Sequence, residues 1–298
     1  MKNTIGSTAL AAVFAVFFLD GAVFAAQQPP QPPVVTVQQV RGDTYMVKGG
    51  SGANTGFCIC DKGVITIDAK MTADSTKQIV EEVSKLTPKP ILYIVLTHSD
   101  SDHVNGLNGF PAGLTIIAQE NTKRDMQEAF KDARLQALQA YLPNKTFPKA
   151  LNLQCGTAHI DLFHFGPAHT SGDVVVFFPH EKVAFVGDLV FIGRDPLIHR
   201  HKGGTSFGLV RNLKEILKLD ADTFIPGHGD ILGKKDVETL MESIEDKQAK
   251  IKAMVQEGKS LDEIKKAFGI EERPAQQGRM RWPSLVEVIY LDITEKKF

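Results

Sequence analysis

The chain has 298 residues, 43% of them hydrophobic and 23% charged, and its 34 Lys and Arg against 35 Asp and Glu leave a formal net charge of -1. That composition excludes a disordered, collagenous or coiled-coil chain. The near-neutral balance gives no electrostatic reason to expect nucleic acid as a partner.

The first segment reads as a leader. Lys2 makes a weakly positive start, Ala9 to Leu19 is unbroken apolar sequence, and Val23-Phe24-Ala25 offers small residues at a cleavage site. The apolar run is too short for the roughly 20 residues a membrane helix needs. Residues 1–25 are therefore expected to be a signal peptide for secretion, to the periplasm in a bacterium, with no membrane span in the mature chain. Residues 26–33 carry QQPPQPP, a Pro/Gln-rich tether of extended polyproline character. One domain is expected over 34–298, with a helical tail from about residue 235.

Within that domain the pattern opens with strands. Val35, Val37 and Val40 alternate loosely, Gly42-Asp43 supplies a turn, and Tyr45 to Val47 returns. Gly56 to Cys60 and Val64 to Ile67 form a second hairpin-like pair. Ser75 to Leu86 has apolar residues at helical spacing, and Ile91 to Leu96 is a continuous apolar strand of the kind buried on both faces. A helix is predicted over Thr122 to Tyr141, then strands at Ile160 to Phe165, Val174 to Phe178 and Val183 to Val186. Another helix is predicted over Phe207 to Leu217 and a short strand over Thr223 to Ile225. Lys235 to Glu257 reads as one long amphipathic helix, and Ser260 with Glu263 makes a capping box for the next. Strands alternating with helices in this way imply a layered α/β domain.

Chemistry concentrates where strands end. Directly after the strand at 91–96 comes Thr97-His98-Ser99-Asp100-Ser101-Asp102-His103, four metal-ligating side chains within six residues. Imidazole and carboxylate together suit zinc, iron or manganese. His169 follows in Gly166-Pro167-Ala168-His169-Thr170-Ser171-Gly172-Asp173, Asp188 in Val186-Gly187-Asp188, and His228 in Pro226-Gly227-His228-Gly229. Each has glycine nearby, where backbone must turn sharply or approach an ion. Any one could be an ordinary loop residue. All of them in this order are hard to explain by structure alone.

This set of motifs resembles the metallo-β-lactamase superfamily, whose first motif is H-x-H-x-D-H, followed by a lone His, a bridging Asp and a last His in a Gly-His turn. The resemblance spans about Val34 to Asp230. It implies a four-layer αββα sandwich with two divalent metals at one edge of the paired sheets, zinc first, with iron or manganese as alternatives. Carried over, His98, Asp100 and His169 would hold the first metal, and Asp102, His103 and His228 the second. Asp188 would bridge both. Asp102 would also orient the attacking water.

Asp100 departs from the family, which usually has His there. A carboxylate still ligates zinc. Three aspartates and one hydroxide would balance two divalent cations, so this exchange predicts a nearly neutral cluster. It also shifts preference towards iron or manganese. Thr170 and Asp173 are candidates for orienting ligand imidazoles, with turn-capping as the plainer reading. Arg200, His201 and Lys202 read either as groups meeting an anionic substrate or as a solvated basic loop. His199 and His201 are set aside as ligands because seven candidates already fill two sites. His159, His164 and His180 read as structural. Cys58 and Cys60 share a strand face and are expected to be small buried hydrophobes, with pairing of either to Cys155 left open. Trp282, near Met280, reads as pocket rim or core.

The function this implies is a secreted hydrolase acting on a small-molecule ester, lactone, amide or β-lactam-type bond. Members of the superfamily that are true β-lactamases carry Cys where this chain has Asp188, or a different setting for the last His. Asp188 and Gly227-His228-Gly229 look more like the broader hydrolase branch. The alternative is an iron-dependent oxidoreductase similar to the superfamily's flavodiiron or persulfide-oxidising members.

Overall fold

The computed structural model describes residues 33–270 and 281–295. The leader, all of the tether except Pro33, and Met280 lie outside the described residues.

Two sheets face one another. The first holds β1 (Val35–Arg41), β2 (Thr44–Gly49), β3 (Thr55–Ile59), β4 (Val64–Ile67), β5 (Ile91–Val95), β6 (Thr115–Gln119) and β7 (Lys145–Phe147), side by side in that order. The second holds β8 (Ala150–Cys155), β9 (Ala158–Phe163), β10 (Val175–Phe178), β11 (Val183–Gly187), β12 (Thr223–Pro226) and β13 (Leu232–Gly233), also in chain order. The pairs β4–β5, β5–β6, β6–β7 and β11–β12 are parallel and the others antiparallel.

Side-chain alternation explains the layers. In β11, Val183 and Phe185 point into the core between the sheets, while Ala184 and Val186 point to the outer helices. In β10, Val176 and Phe178 join the first core, and Val175 and Phe177 the second. A strand buried on both faces reads as an unbroken apolar run, and both strands do. On the far side of the first sheet, α1 (Ala73–Leu86) presents Ile79 and Val83 to Val47, Phe57 and Val64. On the outside of the second sheet lie α4 (Ser206–Lys218), α5 (Lys234–Gln256), α6 (Leu261–Ala267) and α7 (Leu285–Thr294). The result is the four-layer αββα sandwich with a helical C-terminal extension. No described helix is long and apolar enough to cross a membrane.

Two expectations change. The helix predicted over 122–141 is instead α3 (Glu120–Ala129) followed by a separate 3-10 segment, Ala133–Tyr141. Asp132 stands between them in extended conformation and its carboxylate accepts from the Arg134 amide at 2.9 Å, starting a new turn rather than continuing the old one. In β5, Ile94 and Val95 are buried, but Ile91, Leu92 and Tyr93 are only half-buried, so burial on both faces holds for its C-terminal half alone.

The expectation of a small buried hydrophobe holds for Cys58, which is free. Cys60, just past β3, bonds Cys155 at the end of β8 and so ties the two sheets across 95 residues of chain. Replacing both Cys60 and Cys155 by Ser is expected to lower unfolding stability by about 2–4 kcal/mol. An unchanged denaturant midpoint under oxidising conditions would contradict this.

Candidate metal centre

Parallel pairing sets up the site. The chain leaves β4 at Asp68, β5 at His98, β11 at Asp188 and β12 at His228, and within each sheet these exits lie at the same end. β9 runs parallel to β11 across the intervening β10, so the loop carrying His169 leaves at that end too. The short helix α2 (Ser101–Val104) begins within the first motif, with the Asp100 carbonyl accepting from the His103 amide at 2.9 Å. This curl lets Asp100, Asp102 and His103 converge, which an extended strand would forbid.

The seven ligand candidates assemble in two groups. His98, Asp100, His169 and Asp188 form one, and Asp102, His103 and His228 the other; within each, the ligand atoms lie within 4.8 Å of one another. Asp188 reaches across: its Oδ1 is 3.2 Å from His103 Nε2, and its Oδ2 is 3.5 Å from His228 Nε2 and 3.9 Å from His169 Nε2. His228 Nε2 is also 3.1 Å from Asp102 Oδ2. Gly227 is required by space, because a Cβ there would lie 2.0 Å from Asp188 Oδ1.

The donor set fits a cation. His98 Nε2, His103 Nε2 and Asp188 Oδ1 are buried and make no hydrogen bond. His103 Nε2 and Asp188 Oδ1 are only 3.2 Å apart, yet they lack the geometry of a hydrogen bond. Buried polar atoms are ordinarily paired, so orphans clustered in this way mark a ligand site. Nitrogen and oxygen donors suit zinc, iron or manganese.

Protonation follows the same field. Burial opposes charge on His169, but a hydrogen bond to Asp100 and the Asp188 carboxylate raise its imidazole to about 9. Hydrogen bonds to Asp102 and Asp188 raise His228 to about 9 as well. Burial alone would raise Asp100, yet the hydrogen bond from His169 and the imidazoles of His199 and His98 beside it hold it well below the carboxylate range. In the metal-free protein these raised imidazoles add stability that is full below the ordinary value of 6.5 and is lost as pH rises through about 9. A cation competes with the same protons, so its affinity should climb over that window by about tenfold per pH unit for each proton displaced. The gap in Tm between zinc-loaded and chelator-stripped protein should widen from pH 6.5 to pH 9. A constant gap would contradict it.

Several residues that steady the ligands were not singled out by sequence. Asp68, in left-handed backbone at φ 60, holds His103 Nδ1 at 2.8 Å and accepts from the Thr97 amide at 2.8 Å and hydroxyl at 2.7 Å. The legible signal was an Asp at the end of an apolar strand, the same placement as Asp188. His169 Nδ1 donates to the Leu197 carbonyl at 2.7 Å, which turns Nε2 towards Asp100 at 3.1 Å as the nitrogen that can meet an ion. Asp68→Asn is expected to weaken metal binding roughly 10–100-fold while leaving the fold intact; equal metal retention after dialysis against a chelator would refute that role.

The remaining candidates divide. Thr170 and Asp173 bond to each other, with Thr170 Oγ1 donating to Asp173 Oδ1 at 2.6 Å, so their side chains close the turn around His169 rather than bond to the imidazole of a ligand candidate. Lys202 does not project freely towards an anion: its Nζ lies 2.7 Å from Asp100 Oδ1 and donates to Ser99 O at 3.3 Å. That pairing returns next to the cluster the positive charge that Asp100 removes, so near-neutrality does not hold for the immediate surroundings. His201 is exposed, its ring centroid 5.5 Å from that of Trp282. Trp282 is 43% exposed and stands at the rim of a cavity, not in the core. His164 Nδ1 donates to the Asp173 carbonyl at 2.8 Å, while His159 and His180 lie at the surface.

That cavity, about 320 Å³, opens beside Asp100 and Asp102 and is walled by Val104, Phe130, Leu135, Leu197 and Trp282. A larger opening of about 570 Å³ lies over α4 and α5, bordered by Arg211, Lys214 and Lys218, away from every ligand candidate. The smaller one adjoins the chemistry and is the one relevant to it.

Several known proteins are similar to this chain. Over 212 residues the chain is 28% identical to the 2,4-dinitroanisole O-demethylase subunit alpha of Nocardioides sp. (strain JS1661), covering 70% of this chain and 62% of that protein. It is 26% identical over 170 residues to the metallo-beta-lactamase type 2 of Elizabethkingia meningoseptica, covering 55% of this chain and 65% of that protein. The chain thus spans somewhat under two thirds of the length of these relatives. The crystal structure of the DIM-1 metallo-beta-lactamase superposes with a TM-score of 0.61 at 19% identity, covering 72% of this chain and 99% of that one. The model of the metallo-beta-lactamase superfamily matches residues 59–228, more than half of the sequence, and the chain belongs to that superfamily.

Proposed function

We propose that the protein is an exported hydrolase with a two-metal centre, cleaving an ester, lactone, amide or β-lactam-type bond in a small molecule. One observation carries this reading: Asp188, a member of one ligand group, comes within 3.2 Å of His103 Nε2 and 3.5 Å of His228 Nε2 in the other, and Asp100 and Asp102 line a cavity that also has apolar side chains. Two divalent ions bound there would make water nucleophilic near neutral pH and polarise the bond under attack.

The chain's own residues supply the rest. Val104, Phe130, Leu135, Leu197 and Trp282 would take the apolar part of a substrate and keep water away from it. Asp102, less buried than Asp188 and lining the cavity, would stay ionised beside His228, whose Nε2 lies 3.1 Å from its Oδ2, and would orient the attacking water by accepting a hydrogen bond from it. Asp68 and the Leu197 carbonyl keep the imidazoles of His103 and His169 in fixed orientation and tautomer. Lys202 is engaged by Asp100, so the cavity has little free positive charge and favours uncharged substrates.

Export is supported by the leader-like sequence of residues 1–25 and by the Cys60–Cys155 bond, since disulfides persist in oxidising compartments. The alternative is an iron-dependent oxidoreductase. The Asp100 carboxylate favours it. A similarity of 23% identity over 229 residues to the linear primary-alkylsulfatase of Pseudomonas sp. (strain ATCC 19151), covering 62% of this chain and 43% of that protein, adds sulfate esters to the substrates worth testing. Zinc-loaded protein should hydrolyse at least one member of a panel of aryl esters, lactones, β-lactams and alkyl sulfates, with uncharged apolar members preferred. Iron-loaded protein that consumes oxygen, while the zinc form is inert to the whole panel, would replace hydrolysis by the redox reading.

A further inference from the structure

His199 is not among the seven ligand candidates, yet it is a buried imidazole beside Asp100 and His169. It is 3% exposed, and neither ring nitrogen makes a hydrogen bond. A buried imidazole normally pairs at least one nitrogen, and an unpaired one costs about 1–3 kcal/mol. Its Nε2 lies 2.7 Å from Asp100 Oδ2 but out of line for donating to it. The same combination of short distance and absent hydrogen bond marks His103 Nε2 beside Asp188 Oδ1.

Around Asp100 Oδ2 the Nε2 atoms of His98, His169 and His199 stand at 3.6, 3.1 and 2.7 Å. Three imidazole nitrogens thus surround one carboxylate oxygen, with His199 approaching from the Asp100–His169 side of the four-residue group. The backbone fixes it there. The His199 amide donates to the His169 carbonyl at 2.8 Å, and the His199 carbonyl accepts from Lys202 and Gly204 at 2.9 and 3.0 Å. The C-terminal helix braces the same loop, with Thr205 Oγ1 donating to Asp292 Oδ2 at 3.0 Å and Arg200 Nε 3.3 Å from Asp292 Oδ1.

We propose that His199 is a ligand of the first metal, supplying through Nε2 the imidazole that the superfamily supplies from position 100. Asp100 then serves as a carboxylate ligand beside it, held from the other side by Lys202. Charge and donor type both follow. The histidine-to-aspartate exchange at 100 takes one nitrogen donor and one unit of charge from the first site. His199 returns the nitrogen and Lys202 the charge. The first metal would be held by three imidazoles and two carboxylates, a set suited to five-coordinate zinc or to iron.

This inference rests on the two-metal reading, and cobalt loading separates the two. Each ligating imidazole of cobalt(II)-loaded protein gives one strongly shifted, exchangeable ring N–H proton resonance. Five are expected in the wild type, from His98, His103, His169, His199 and His228. In His199→Ala four should remain, with the first cobalt bound at least tenfold more weakly and the second unchanged. Two cobalts bound with only four shifted resonances in the wild type would overturn the assignment of His199 and leave the two-metal reading standing. Equal cobalt affinity at both sites in wild type and His199→Ala would overturn it as well. Failure of the wild type to bind cobalt at all would sink the two-metal reading and this inference with it. The count in the wild type needs no variant, so it decides the matter even if His199→Ala does not fold.

Discussion

Asp188→Asn should strip both metal positions at once. Asp188 is 6% exposed and is the carboxylate that approaches ligands of both groups, with Oδ1 at 3.2 Å from His103 Nε2 and Oδ2 at 3.5 Å from His228 Nε2. An amide keeps the size but loses the charge, and its NH2 can only donate where a cation needs an electron pair. The fall in metal affinity and in kcat/KM should exceed the roughly 10–100-fold typical of losing an outer partner such as Asp68. Elemental analysis after dialysis, alongside turnover, reads both. Two tightly held metals in Asp188→Asn would show that this carboxylate does not bridge.

The largest stability effect is expected at Lys70→Met. Lys70 is fully buried and its ammonium donates to the carbonyls of Val47, Gly49 and Ala53 at 3.1, 2.9 and 2.7 Å. Burial pushes that ammonium down to about 8. Methionine fills similar volume but leaves three carbonyls without this donor. Hydrogen bonds to charged groups are worth about 1.5–3 kcal/mol each and are not additive. A total loss on the order of 3–5 kcal/mol is therefore expected in denaturant unfolding. A loss under about 1 kcal/mol would contradict the account. The effect should reach the metals too, because the Ala53 amide donates to the Asp102 carbonyl at 3.1 Å and ties this loop to the first motif.

What could be read beforehand, and what could not, follows from how far each feature depends on distant contacts. Val183 to Val186 and Val174 to Phe178 were legible because burial on both faces writes itself as continuous apolar sequence. The ligand loops were legible because imidazole and carboxylate recur at successive strand ends, a pattern that core packing does not produce. The break at Asp132 was less so: apolar spacing runs through it, and only the carboxylate's bond to the Arg134 amide stops the helix. The strands Thr115–Gln119, Lys145–Phe147 and Ala150–Cys155 and the helix Leu285–Thr294 were missed because each is set by pairing or packing with remote chain. His199 stands outside the seven motif positions that fill two sites; its burial and the pairing of Lys202 with Asp100 arise only when residues about a hundred positions apart meet. Cys60 and Cys155 likewise meet only through the facing of the two sheets.

The central claim is a pair of divalent ions held by these residues, and calorimetric titration of chelator-stripped protein with zinc tests it most directly. Two equivalents per chain are predicted, and neither should bind tightly in Asp188→Asn. Binding of a single equivalent, or of none, by the wild type would contradict it.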